Sequence, residues 1–217
     1  MKHQKHQGVL IEREGVLLHR TAANCSASWN DFDFLPLALD ALRLFAEYGI
    51  AVILVSDQSC VKDGHLTMHE LDKLTRRMLL EVALSGGHIQ KVYYCPHNVQ
   101  DPCLCRKPFP GLLVRAMAEG HLNPSHTYFI GSQERDMEAA KRAGCNGLLL
   151  RRNSFLTTDT RSEESIELAS NLYEAAERIV RRNIPRLADV LQMREEFPNR
   201  SLRPESAEFH LGEKDLA

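Results

Sequence analysis

Short runs of apolar residues alternate along the chain with longer stretches in which apolar positions recur every three or four residues. The runs at 8–11, 50–55, 89–94, 127–130 and 147–150 predict short strands buried on both faces. The stretches 36–48, 67–81, 111–119 and 134–143 predict helices. Local punctuation agrees with this division. Pro36 stands early in the first helix and Gly49 stops it, Thr67-x-x-Glu70 is a capping box, and Gly144 ends the fourth helix. Strands alternating with helices predict an α/β fold, a parallel sheet covered by helices on both faces. A last amphipathic helix is expected over 162–183, acidic at Glu163 and Glu164 and basic at Arg178, Arg181 and Arg182, docking back on the sheet. Beyond it Pro185, Pro198 and Pro204, among many charges, predict a poorly packed, partly helical tail over 184–217, leaving 1–183 as the folded domain.

Charge changes the picture mainly by exclusion. The 217 residues carry 27 basic and 29 acidic side chains, a net charge of -2, so no cationic excess exists to bind nucleic acid. The longest apolar run, 50–55, is far too short for a membrane helix. The polar opening Met1-Lys2-His3-Gln4-Lys5-His6-Gln7 lacks the apolar core of a signal peptide, and a cytoplasmic location is the expectation. In that compartment the six cysteines do not form a disulfide framework. Cys25, Cys60 and Cys145 read as small buried hydrophobes.

The other three cysteines cluster. Cys95-Pro96-His97, five residues, then Cys103-Leu104-Cys105 offers three sulfurs and one imidazole, the ligand set of a closed tetrahedral zinc site. With all four positions filled by protein, the metal would be structural and leave no place for a reactive water. Of the ten histidines only His97 receives a role; Trp29, Phe32 and Phe34 are read as core packing.

Ligands of such sheets bind beyond the carboxyl ends of the strands. The residues there are Glu12-Arg13-Glu14-Gly15, Ser56-Asp57-Gln58-Ser59, the cysteine loop, and Gly131-Ser132-Gln133. Together with Tyr94-Cys95-Pro96-His97 and Cys103-Leu104-Cys105-Arg106-Lys107-Pro108, and with Asp136, they make the chain resemble the haloacid dehalogenase (HAD) superfamily, in its branch of heptose bisphosphate and histidinol-phosphate phosphatases. The resemblance covers about 8–183 and implies a single Rossmann-like domain with little or no cap, and a magnesium-dependent phosphatase of sugar or polyol phosphates. It places Glu12 at the nucleophile, Glu14 at the acid/base, Ser56 and Lys107 in the phosphate cradle, and Gln58 and Arg106 on substrate. The magnesium positions become Glu12, Glu14, Ser132 and Asp136. On spacing alone Arg106 reads equally well as a surface arginine.

Three of these positions depart from the aspartates that the family's chemistry uses. Each glutamate carries its carboxylate about 1.5 Å further out, and a misplacement near 1 Å at a reacting centre costs roughly 100-fold. Ser132 removes a charge from the magnesium shell. Asp57 and Cys60 differ from the asparagine and glycine common there. The expectation is a catalytically impaired, pseudoenzyme-like protein that binds a phosphosugar or acts in regulation, with a protein partner possible through the tail. The alternative is an active magnesium-dependent phosphomonoesterase of altered geometry, with Asp136 or Asp57 supplying the missing ligand.

Overall fold

The computed structural model describes residues 6–21, 27–151 and 166–183. Six strands, β1 (His6–Ile11), β2 (Ala51–Asp57), β3 (Lys91–Cys95), β4 (Leu122–Gly131), β5 (Asn146–Leu150) and β6 (Glu167–Ala169), form one parallel sheet in the order β3-β2-β1-β4-β5-β6. The chain moves outward from β1 through β2 to β3, then returns to β1's other side with β4. The strand order therefore reverses between β1 and β4, and a crevice opens at their carboxyl ends.

The pleat explains the unbroken apolar runs. Along β1, Val9 and Ile11 face one core layer and Leu10 the other. The first layer is covered by α1 (Ala38–Glu47), α2 (Met68–Leu84) and α5 (Leu172–Asn183), through residues such as Phe45, Met78 and Ile179. The second is covered by α3 (Gly111–Glu119) and α4 (Glu134–Ala143), through Leu113, Met117 and Ala140. Thr67 and Glu70 close the expected box on α2, the Thr67 hydroxyl accepting from Glu70 N at 3.2 Å and Glu70 Oε2 accepting from Thr67 N at 2.7 Å. Gly144 ends α4 in the left-handed region at φ 73°.

The helix expected over 162–183 is corrected by the structure. Its described part begins with β6, which pairs with the edge of β5 from Leu148↔Glu167 to Leu150↔Ala169, and the helix starts only at Leu172. Asn171 restarts the chain as a helix by accepting from Glu174 N at 2.9 Å. The helix docks on the sheet as expected, burying Ala175, Ala176, Ile179 and Val180. Glu163, Glu164, Cys25 and the predicted tail at 184–217 lie outside the described residues. Cys60 and Cys145 are buried as small hydrophobes, and burial pushes the Cys145 thiol up to about 12. No described helix is long and apolar enough to cross a membrane.

Candidate functional site

The crevice at the β1/β4 switch point collects the residues singled out in the sequence. It is a cleft of about 550 Å³ whose walls include Glu12, Glu14, Asp57, Arg106 and Asp136. Glu12 follows β1 directly, anchored by its N–H donating to Ile130 O at 3.0 Å. Its carboxylate is engaged on both oxygens. Oε1 accepts from Ser56 Oγ and, at 3.0 Å, from the Arg13 amide, while Oε2 pairs with Lys107 Nζ. The Glu12 side chain thus folds back on its own following peptide.

Lys107 is buried and also pairs with Asp136 Oδ1 at 2.9 Å, so one ammonium bridges two buried carboxylates. Burial lowers its pKa and Asp136 opposes that. The other oxygen of Asp136 caps α4, accepting from Ser132 N and Gln133 N at 3.0 Å each. Gly131 is required for this approach, because a Cβ there would lie 2.8 Å from the Asp136 carboxyl carbon.

Arg13 is a residue whose importance the sequence reading missed. Its guanidinium is fully buried between the Phe32 and Tyr94 rings, 5.3 and 5.6 Å from their centroids. Nε donates to Glu14 Oε1 at 2.7 Å and Nη2 to Gln58 Oε1 at 2.7 Å. Burial opposes its charge, but Glu14 and Tyr94 together outweigh that and raise its pKa. Glu14 in turn accepts from Gln58 Nε2 at 3.1 Å and Ser56 Oγ at 3.2 Å, closing a network of Glu12, Ser56, Gln58, Glu14 and Arg13. Phe32, expected in the core, is there and also forms one wall of this arginine slot.

Ser132 is met by Arg20, whose Nη2 donates to its Oγ at 3.0 Å, and the Ser132 hydroxyl lies 3.3 Å from the Glu14 carbonyl as donor. A cation therefore stands beside the position where the resemblance expects a metal-binding carboxylate. The residues present do not fit magnesium. Glu12 and Asp136 are held by Lys107, Glu14 is held by Arg13, and Ser132 offers a hydroxyl already engaged by a guanidinium. Asp57, the other acid in the cleft, is pushed up to about 6 by burial, and its Oδ2 has no hydrogen-bond partner among the described residues.

Cys95, His97, Cys103 and Cys105 come together beside this cleft, their ligand atoms all within 4.8 Å of one another. Neighbouring separations run from 3.2 Å (Cys95 Sγ to Cys105 Sγ, and His97 Nδ1 to Cys105 Sγ) through 3.5 Å (Cys95 Sγ to His97 Nδ1) to 4.0 Å (Cys95 Sγ to Cys103 Sγ). Zn–S bonds of about 2.3 Å and Zn–N bonds of about 2.0 Å give tetrahedral edges of about 3.5–3.8 Å, so the donor set fits a four-coordinate metal. Burial raises the Cys95 and Cys105 thiols, a cost that a divalent cation removes by holding thiolates. The loop leads straight into the cleft, where Arg106 Nη1 donates to His97 O at 3.0 Å.

Comparison with known proteins agrees with the fold. A family model described as HAD-hydrolase-like matches residues 104–175. The chain is similar to the D-glycero-beta-D-manno-heptose-1,7-bisphosphate 7-phosphatase of Pasteurella multocida, with 29% identity over 148 residues, 65% of this chain and 80% of the relative. The protein of that name from Escherichia coli is 32% identical over 121 residues, 52% of this chain and 63% of the relative. Among solved structures, a D,D-heptose 1,7-bisphosphate phosphatase from B. bronchiseptica, complexed with magnesium and phosphate, matches with a TM-score of 0.74 and 24% identity, over 82% of this chain and 99% of that one, a likeness of fold.

Proposed function

We propose that this chain, a HAD-like protein, binds a phosphorylated sugar or a similar small phosphate in the strand-end cleft and hydrolyses it poorly or not at all. The observation that carries this reading is the Arg20–Ser132 contact at 3.0 Å, a guanidinium and a hydroxyl where the phosphatase chemistry calls for a carboxylate and a metal. Phosphoryl transfer takes nearly all its catalysis from positioning and charge neutralisation. Here Glu12 has both carboxylate oxygens tied to Ser56, the Arg13 amide and Lys107, which leaves it poorly placed as a nucleophile. Glu14 is held in an ion pair with buried Arg13, which works against giving and taking a leaving-group proton. What the residues keep is recognition. Arg106 is a fork matched to phosphate oxygens, held at the cleft by the cysteine loop. In this reading zinc fills the Cys95, His97, Cys103 and Cys105 site and fixes the loop carrying Arg106 and Lys107.

The test is restoration. A chain carrying Glu12→Asp, Glu14→Asp, Ser132→Asp and Arg20→Ala together should release phosphate from heptose bisphosphate with magnesium faster than the wild type does. A second reading, a working phosphatase with glutamate as nucleophile, is favoured by one observation: Glu12 still touches both Ser56 and Lys107 at the end of β1. It predicts that the same four changes leave the rate unchanged or lower it, and that outcome would overturn the impaired-hydrolysis reading.

A further inference from the structure

The charges around the cleft are already balanced without a divalent ion. Four carboxylates, Glu12, Glu14, Asp57 and Asp136, line it. Arg20, Arg106 and Arg135 line it with them, and Lys107 and Arg13 are buried against its acids. Five cations therefore face four acids. A divalent ion added here would meet a surplus of like charge and, Asp57 apart, no carboxylate that is not already held by a protein cation. A dianion would meet the reverse. Arg135 Nε is buried and has no hydrogen-bond partner among the described residues.

We infer that the cleft is a metal-independent oxyanion site in which the Arg20 guanidinium occupies the charge-balancing place of magnesium. Arg20 is placed for this by two features. Ser132 is short enough to let the guanidinium approach to 3.0 Å and accepts from it. Gly15 (φ +84°) has no side chain in the way, since a Cβ there would lie 3.3 Å from Arg20 Nη2 and closer still to the Ser132 hydroxyl. Arg20 also borders a second, smaller cavity of about 310 Å³, shared with Gly15, Ser132 and Gln133. A guanidinium supplies paired donors to phosphate oxygens in fixed geometry. It cannot activate a nucleophile or polarise a leaving group as a metal does. Binding is thus retained while metal-assisted hydrolysis is not. The inference rests on the phosphate-ligand reading above and adds that the ligand is held without magnesium.

The experiment is calorimetric titration of the zinc-loaded full chain with inorganic phosphate, in magnesium-free buffer and again with magnesium, and with magnesium alone. The wild type should bind phosphate equally under both conditions and should show no heat with magnesium alone. Arg20→Ala should weaken phosphate at least about tenfold, the loss of one charge-assisted contact, and Arg20→Lys should recover part of it. The pair Arg20→Ala with Ser132→Asp should take up magnesium, whereas Ser132→Asp alone should not, because Arg20 would pair with the new carboxylate. Phosphate bound only with magnesium, magnesium bound by the wild type, or Arg20→Ala binding phosphate as the wild type does, would each overturn the inference and leave the phosphate-ligand reading standing. Phosphate bound under neither condition would overturn both.

Discussion

Replacing Arg13 by methionine keeps the apolar stem between Phe32 and Tyr94 but deletes a fully buried charge. Glu14 would then keep Ser56 and Gln58 as donors at 3.2 and 3.1 Å but lose the ion pair that neutralises it at 2.5 Å. Breaking a buried pair from one side costs about 3–5 kcal/mol, because the remaining charge is left uncompensated in a poor dielectric. For a chain of this size that corresponds to a fall in Tm of about 6–20 °C. The assay is thermal and urea unfolding of zinc-loaded protein. The double variant Arg13→Met with Glu14→Gln isolates the cause, since a neutral amide can still meet Ser56 and Gln58 and leaves no orphaned charge. It should recover at least half of the loss. A single variant within about 1 kcal/mol of the wild type, or a double variant no better than the single, would refute the claim that charge pairing holds the site together.

Two further predictions concern the site's surroundings. Cys103→Ser should take bound zinc from about one ion per chain to well below that, with a clear fall in Tm, and metal analysis beside calorimetry reads both; undiminished zinc would remove Cys103 from the ligand set. Asp57, pushed up from 3.8 to about 6 by burial, keeps its proton in the fold while the unfolded chain has already released it, so stability from this group falls as pH rises from about 4 to 6 and is level above. Asp57→Asn removes that penalty, and its advantage over the wild type in urea unfolding should grow from little at pH 4 to about 2–3 kcal/mol at pH 8; an equal difference at both would contradict the buried-charge origin.

The parts of this protein that were legible in its sequence are those set by neighbours. The α3 and α4 bounds agree with the structure because Gly120 and Gly144 stop the helices locally. The Cys/His cluster was legible for the same reason, its four ligands lying within eleven residues. β6 was hidden because three residues at a sheet edge, one of them Glu167, carry no periodicity, and only pairing with β5 makes them a strand. Arg13 and Arg20 were hidden by distance. The slot around Arg13 is made by Phe32 and Tyr94 from separate loops and strands, and Arg20 meets its partner Ser132 across 112 residues. The resemblance marks three positions where aspartates are expected, but nothing local in the sequence marks the arginine that stands beside one of them.

The most direct test of impaired hydrolysis is phosphate release by the unmodified, zinc-loaded full chain from heptose 1,7-bisphosphate and a panel of sugar phosphates in saturating magnesium, with Glu12→Ala alongside. A cleft whose acids are held by Lys107 and Arg13 should release phosphate no faster than Glu12→Ala does. Turnover on the order of one per second, lost on Glu12→Ala, would contradict that.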